Sequence, residues 1–233
     1  HVRSRRQRQM CIRDRVTVLL ETILGIGMAL VMAKDFHGRG LLRAAVLVPW
    51  AIPTAITAKL WAFLFSEQGI VNSIFHAHVA WQTDPWAARF SIILADVWKT
   101  TPFMALLILA GLQMIPKDLY EAARMDGANA WQRFTRITLP LAKNSIIVAV
   151  LFRMLDALRM YDLPYIMVGP NPDSPTATLS QLVVAAIRQD HVNAASALST
   201  LIFLLIFLIA LCFVKSLGSK VAHQAEPVVA EEE

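Results

Sequence analysis

Charged side chains interrupt several apolar stretches of the chain, and their spacing limits the chemistry that they can perform. Three pairs of opposite charge are three residues apart: Asp96 with Lys99, Arg153 with Asp156, and Asp156 with Arg159. On a helix such a spacing places both partners on one face, where they can neutralise each other. Internal pairing, within the chain or between subunits, is therefore one interpretation of these residues.

A second interpretation is that some of these side chains contact a polar solute. A neutral polyol is bound by carboxylate and amide hydrogen bonds, with aromatic rings against its apolar C–H surface. The residues that could form such a pathway are Asp96, Trp98, Asp156, Tyr161 and Asp162. Charged groups inside apolar runs cost about 2.5–3.5 kcal/mol on insertion scales, so on either interpretation they face a cavity, a neighbour or the interface.

Motifs of common catalytic and metal sites are not found in the sequence. It contains no G-x4-G-K-[ST] phosphate-binding loop, no HExxH, no paired CxxC and no nucleophile elbow. Cys11 and Cys212 lie in a basic segment and an apolar run, which argues against a disulfide framework or a thiolate metal site. His76 and His78 are expected to be polar surface residues rather than metal ligands. We therefore predict a non-catalytic chain that binds no metal and no cofactor itself.

Composition indicates a membrane protein. The 233 residues are 56% hydrophobic and 17% charged, with a mean hydropathy of +0.51, whereas soluble domains are roughly 45–50% apolar and about 25% charged. The net charge of +5 arises from basic residues at the start of the chain and beside apolar runs. This pattern favours contact with membrane lipid and argues against a nucleic-acid partner.

The elements that must position these residues are transmembrane helices. A bilayer core about 30 Å thick requires roughly 20 apolar residues per helix, and lipid offers no partner for unpaired backbone amides. The sequence predicts an all-α membrane protein with five visible spans, at residues 16–33, 41–65, 90–115, 145–161 and 195–214. We place the transmembrane domain at residues 16–217 and predict a disordered cytoplasmic tail at residues 218–233.

Lysine and arginine are unevenly distributed between alternate loops. They concentrate in residues 34–43, in residues 116–144 and after residue 214, whereas the opposite loops contain only Arg89 and Arg188. The positive-inside rule places the first three segments in the cytoplasm.

Residues 1–15 do not fit this orientation, because HVRSRRQRQMCIRDR is rich in arginine and yet falls outside. The segment resembles neither a signal peptide nor a helix face. We interpret it as a basic arm outside the transmembrane domain, which contacts anionic lipid or is a tag, misread or truncation scar.

The loop at residues 116–140 carries the strongest signal. Its sequence, PKDLYEAARMDGANAWQRFTRITLP, predicts a first short helix that begins near Pro116 and stops at Gly127 in a left-handed conformation. A second amphipathic helix is predicted to begin near Asn129 and to end at Pro140. The apolar side of this pair requires either the membrane surface or a groove on a partner.

This loop resembles a known motif. Glu121-Ala122-Ala123, three residues, Gly127, nine residues and then Ile137-x-Leu139-Pro140 match the EAA signature of permease subunits of binding-protein-dependent ABC importers in type and spacing. Segments 95–103, 151–162 and 195–199 resemble the carbohydrate branch of that family, in particular SugA-type permeases of trehalose importers. The run at residues 167–170 departs from the Gly-Gly-Pro of many relatives, which affects only the external loop.

The resemblance implies a pore-forming subunit that translocates a sugar, such as trehalose or another disaccharide, across the bacterial cytoplasmic (inner) membrane. In that family this loop is the coupling helix that docks on a separate ATPase, and the matching residues are Glu121, Ala122, Ala123, Asp126, Gly127, Ile137, Leu139 and Pro140. The implied partners are a second permease subunit, two ATPase subunits that use ATP and Mg, and an extracytoplasmic sugar-binding protein. Family members have six core helices, so the first of them is expected to be missing from this chain.

Three alternatives remain open at the level of sequence. An ion-coupled secondary transporter would use Asp96 or Asp156 as a proton or cation site. The same family also includes permeases for phosphate, amino acids and peptides, so the solute could be other than a sugar. Without its first helix the chain could also be an inactive membrane fragment.

Overall fold

A computed structural model of the chain describes residues 2–225 except Ala77, residues 171–173 and residue 175, and describes side chains from residue 13 to residue 215 with the same gaps. In this part of the chain the regular structure is entirely helical. The helices are α1 (Val2–Ala33), α2 (Arg39–Ala51), α3 (Thr54–Leu64), α4 (Ile70–Phe75), α5 (Pro85–Gln113), α6 (Lys117–Met125), α7 (Ala130–Arg133), α8 (Leu139–Leu158), α9 (Asp162–Val168), α10 (Leu179–Arg188) and α11 (Val192–Ala225), with a π-helical segment at Phe134–Thr138.

The membrane-spanning character predicted from the sequence is confirmed. Four stretches within the described residues are long and apolar enough to cross a bilayer: Arg13–Ala33, Pro85–Gln113, Ala130–Leu158 and Val192–Lys215. The α2 and α3 pair forms a fifth span if the two helices are counted together. The protein is therefore an all-α, multi-pass membrane protein.

The second span is not the continuous helix that we predicted over residues 41–65. It breaks after Ala51, and α2 and α3 are bent by 85° relative to each other. Pro53 lies at the break, directly before α3. Because proline lacks a backbone N–H and disfavours a helical conformation in the residue before it, a proline at this point ends α2 and starts a new helix.

Other predicted boundaries are also different, and α11 continues to Ala225 through the start of the tail that we predicted as disordered from residue 218. The first helix does not begin near residue 16, since α1 runs from Val2, and the buried Arg13 guanidinium donates to the carbonyl of Thr176 at 3.4 Å. The fourth span does not begin at residue 145, because α7, the π-helical segment and α8 follow one another without a break from Ala130 to Leu158. That residues 1–15 lie outside the transmembrane domain remains a prediction.

The described residues up to Gln181 form one compact unit, and those from Leu182 to Ala225 belong to a second. In the first unit α5 is the central element, because it packs against α1, α2, α3, α8 and α9. Its start is fixed by Asp84, whose carboxylate accepts hydrogen bonds from the backbone N–H groups of Trp86 and Ala87 at 3.0 and 2.8 Å.

Two apolar clusters hold the first unit together. One joins α1, α5 and α8 through Ala29, Met32, Met104, Ala105, Ile108 and Ala149. The other joins α3, α5 and α9 through Ala58, Ile92, Ala95, Leu163 and Met167, with Phe65 at the end of α3. Small residues let the helices approach closely, and a Cβ atom on Gly25 of α1 would lie 3.2 Å from the Cβ of Met104.

Candidate functional site

A buried ionic cluster, Glu21–Arg153–Asp96, joins three of the spans. The Arg153 guanidinium of α8 donates from Nε to Glu21 Oε2 of α1 at 2.5 Å, and from Nη2 to the Asp96 carboxylate of α5. Thr100 donates its hydroxyl proton to the same Glu21 carboxylate. The side chains of Arg153 and Glu21 are 2% and 0% exposed. The cluster therefore links the buried faces of α1, α5 and α8.

The local pairs predicted from sequence spacing are only partly formed. Asp156 and Arg159 are paired, with Oδ1 to Nη2 at 3.2 Å, as predicted. Arg153 lies 3.7 Å from Asp156, but its close partners are Glu21 and Asp96. The predicted Asp96–Lys99 pair is wrong, because the long-range partner Arg153 occupies the Asp96 carboxylate.

Lys99 instead binds the break between α2 and α3. Its ammonium group donates to the backbone carbonyls of Ile52 at 2.5 Å and Trp50 at 3.4 Å. The carbonyls at a helix end have no intrahelical partner, and in the apolar core of a membrane such groups must be satisfied by protein. Lys99 therefore stabilises the bent span.

A cavity of about 290 Å³ lies beside both features. Its lining is mostly polar and comes from α3, α5, the end of α8 and α9: Thr54, Asp96, Lys99, Thr100, Asp156, Arg159, Met160, Tyr161, Asp162 and Leu163. Carboxylates, hydroxyl groups and cations around one cavity can both donate to and accept from a solute that carries several hydroxyl groups.

Four of the five residues predicted for the solute pathway line this cavity: Asp96, Asp156, Tyr161 and Asp162. Trp98 is not among them and packs edge-on against Trp61, with ring centroids 5.8 Å apart. Two residues along a helix correspond to a turn of about 200°, so Trp98 and Asp96 point in different directions from α5. The roles of these residues in transport remain a prediction.

Several lining residues were not in the predicted pathway. The spacing of Lys99 and Arg159 predicts only local ion pairs for them, and the predicted pathway does not include Thr54 or Thr100. These residues reach the cavity because of the bend after α2 and the contact between α3 and α9. A proline inside the apolar run was the available signal for the bend.

The loop at residues 116–140 folds as predicted in its first half. Helix α6 begins after Pro116 and ends at Met125 with Asp126 as its C-cap, and Gly127 adopts the left-handed conformation with φ of +77°. The backbone N–H of Gly127 donates to Arg124 O at 3.0 Å, and that of Ala128 to Ala123 O at 2.9 Å. These two bonds form a Schellman motif, which requires a residue that tolerates positive φ.

The second half begins as predicted but does not end at Pro140. Asn129 and Gln132 form a reciprocal capping box, with both bonds at 2.8 Å, that starts α7. The chain then passes through the π-helical segment directly into α8, with Pro140 in its first turn. Proline cannot donate to the carbonyl four residues earlier, and a wider π turn accommodates the lost hydrogen bond.

Helix α6 is connected to the spans but leaves one side uncovered. The Tyr120 hydroxyl is hydrogen-bonded to Thr138 Oγ1 at 3.0 Å, which ties α6 to the π-helical segment. None of the α6 residues is buried. The exposed large apolar side chains of α6 and α7 are Leu119 and Met125 on α6 and Trp131 on α7, with Met125 89% exposed. Ala122 is exposed between the first two, and Ala123 is half-buried.

On its other side α6 borders a crevice of about 810 Å³ at the basic ends of α1 and α5. Lys117 Nζ lies 3.0 Å from Asp35 Oδ2, so the two basic loops meet at the same end of the spans, as the charge pattern predicts. The hydrogen bond from Lys117, together with the charges of Lys117 and Arg39, lowers the pKa of Asp35 below its ordinary value of 3.8. Glu121 lines this crevice and does not belong to the apolar side of α6.

Comparison with known proteins shows the family. The model of the family "Binding-protein-dependent transport system inner membrane component" matches residues 21–223, which include the spans and the whole 116–140 loop. The chain belongs to this family. The resemblance found in the loop sequence is thus confirmed at the level of the family.

Two curated relatives are similar over most of the chain. The trehalose/maltose transport system permease protein MalF of Thermococcus litoralis is 45% identical over 205 residues, which cover 86% of this chain and 70% of the relative. The trehalose transport system permease protein SugA of Mycobacterium tuberculosis is 39% identical over 206 residues, 88% of this chain and 66% of the relative. The chain thus spans about two thirds of the length of these relatives.

Solved structures share the fold. A chain of a bacterial ABC transporter involved in the import of the acidic polysaccharide alginate superposes with a TM-score of 0.80 at 23% identity, over 98% of this chain and 80% of that one. A chain of the MetNI methionine ABC transporter has a TM-score of 0.62 at 16% identity, over 91% and 92%. The helical arrangement is therefore that of ABC transporter membrane chains.

Proposed function

We propose that this chain is a pore-forming permease subunit of an ATP-driven importer that carries a sugar across the bacterial inner membrane, and that a disaccharide such as trehalose or maltose is the solute. The observation that carries the proposal is the 45% identity to a trehalose/maltose permease over 86% of the chain. The polar cavity at α5, α8 and α9 supports it, because its carboxylates and hydroxyl groups suit a polyol.

ATP hydrolysis is assigned to separate subunits. In this proposal α6 docks in a groove of an ATPase, with Leu119, Ala122 and Met125 at the contact and small Ala122 permitting close approach. The continuous path from α7 through α8 then transmits movement of α6 to the end of α8 beside the cavity. A second permease subunit, two ATPase copies and an external binding protein complete the assembly.

The coupling role is tested by capture of the ATPase. Ala122→Glu places a charged side chain on the exposed face of α6, so folding is retained while docking is lost. Lys143→Glu in the first turns of α8 is the control, since Lys143 is also exposed. We expect the wild type and the control to co-purify with the ATPase of the same transport system in detergent, and Ala122→Glu to lose it. Equal capture by all three chains would refute the assignment of α6.

The solute is tested by uptake into proteoliposomes that contain the assembled importer and its binding protein. Asp156→Asn removes a carboxylate from the cavity, and loss of a charge-assisted hydrogen bond of about 1.5–3 kcal/mol lowers uptake at low sugar concentration by roughly tenfold or more. Asp190→Asn, the same change at an exposed residue that does not line the cavity, is the control and is expected to transport normally. Uptake that needs an ion gradient and no ATP would instead support the secondary-transporter alternative.

A further inference from the structure

The crevice beside α6 contains more positively charged side chains than its own carboxylates can neutralise. Five cationic side chains line it together with two carboxylates: Lys34, Arg39, Arg43, Lys117 and Arg124 with Asp35 and Glu121. Asp35 is shared by Arg39 and Lys117. Within the described residues Lys34 and Arg124 form no ion pair, so the crevice attracts an anion from outside the chain.

Arg43 gives the crevice a rigid basic wall. Its guanidinium donates to the carbonyl of Met32 from Nη2 at 2.7 Å and from Nε at 3.3 Å. These bonds satisfy a carbonyl group near the C-terminal end of α1 and hold the side chain in place. The Nη1 group forms no hydrogen bond within the described part of the chain, so it can donate to a ligand.

Part of the crevice lining is apolar. Leu30 of α1, Leu112 of α5 and Ile115 line it together with the basic residues. Since the apolar stretches of α1 and α5 end at Ala33 and Gln113, this crevice lies at the depth of the lipid headgroups. Its volume of about 810 Å³ falls within the range of roughly 300–1,000 Å³ for ligand pockets.

We propose that the crevice binds the phosphate group of an anionic phospholipid, with Lys34, Arg43 and Arg124 as the phosphate ligands and the acyl chains against the apolar part of the lining. Basic pockets between helices at the cytoplasmic surface suit such headgroups. A soluble anion would use the cations alone, whereas a lipid uses both the basic and the apolar residues of the crevice. Because α6 supplies Arg124, the bound lipid also braces the helix that carries the EAA residues.

The proposal is tested on the full chain in detergent, with the proposed ATPase absent, by mass spectrometry of retained lipid after incubation with phosphatidylglycerol or phosphatidylcholine. The variant Lys34→Gln/Arg124→Gln removes two cations that have no ion pairs in the described structure. The control Arg136→Gln/Lys143→Gln changes the net charge equally at exposed sites outside the crevice. Lys34→Arg/Arg124→Lys keeps both charges and shows whether a loss reflects charge or altered folding.

We expect the wild type, the control and the charge-preserving variant to retain phosphatidylglycerol and not phosphatidylcholine. The Lys34→Gln/Arg124→Gln variant is expected to retain at least tenfold less. Equal retention of phosphatidylglycerol by the two neutralised variants, or of both lipids by the wild type, would overturn the proposal. Displacement of phosphatidylglycerol by millimolar inorganic phosphate would assign the site to a soluble anion instead. Displacement by added ATPase would show that a protein partner covers the crevice. Each result is independent of sugar transport.

Discussion

Replacement of Arg153 tests the buried ionic cluster most severely. Arg153→Gln removes the guanidinium shared by Glu21 and Asp96 and leaves two buried carboxylates without their cation. Loss of one partner from a buried pair costs about 3–5 kcal/mol, because the remaining charge is uncompensated. The same change at Arg159, whose side chain is 72% exposed and pairs with the half-exposed Asp156, costs about 0–1 kcal/mol.

The two substitutions are compared by thermal unfolding in detergent, followed through tryptophan fluorescence. For a chain of this size about 2–4 °C corresponds to 1 kcal/mol, so Arg153→Gln lowers Tm by roughly 6–20 °C and Arg159→Gln by less than about 4 °C. The triple variant Arg153→Gln/Glu21→Gln/Asp96→Asn removes all three charges and is expected to recover most of the loss. If Arg153→Gln unfolds within 2 °C of Arg159→Gln, the cluster does not hold the three spans together.

Two further perturbations address the bend and the loop. Lys99→Met leaves the carbonyls of Trp50 and Ile52 without their donor, which lowers the free energy of unfolding by about 1–3 kcal/mol. The same change at exposed Lys59 is expected to leave Tm unchanged. Equal effects of the two substitutions on Tm would contradict the role of Lys99. Gly127→Ala forces a Cβ atom into the left-handed region, at about 1–2 kcal/mol. Gly127→Ala is expected to weaken ATPase capture several-fold, whereas Gly40→Ala in helical α2 is expected to have no effect on capture. Normal capture by Gly127→Ala would show that the Schellman turn is not needed for docking.

The features predicted well from the sequence depend on short-range physics. Apolar length specifies the spans because lipid excludes unpaired backbone. Gly127 marks the end of α6 because its left-handed conformation suits few other residues, and Asn129 marks the start of α7 because its side chain caps the helix. Spacing on one helix likewise gave the Asp156–Arg159 pair. The loop motif was sufficient to identify the family.

The features that were missed depend on contacts between distant segments. Arg153 and Glu21 are 132 residues apart, so helical periodicity carries no information about their pairing. Spacing pairs Lys99 with Asp96 on its own helix, whereas its partners Trp50 and Ile52 lie at a bend in a span that the sequence predicts to be straight. Pro140 was interpreted as the end of a helix, although the first turn of a helix tolerates proline and the π-helical segment accommodates it.

The most direct test of the central proposal is disaccharide uptake by proteoliposomes that contain this chain, its partner permease, the ATPase and the binding protein. The account predicts uptake of labelled trehalose or maltose that requires internal ATP, persists when ion gradients are collapsed, and is lost when Ala122→Glu replaces the wild-type chain. Uptake without ATP, or unchanged ATP-driven uptake by Ala122→Glu, would contradict the assignment of this chain as a permease that is coupled through α6.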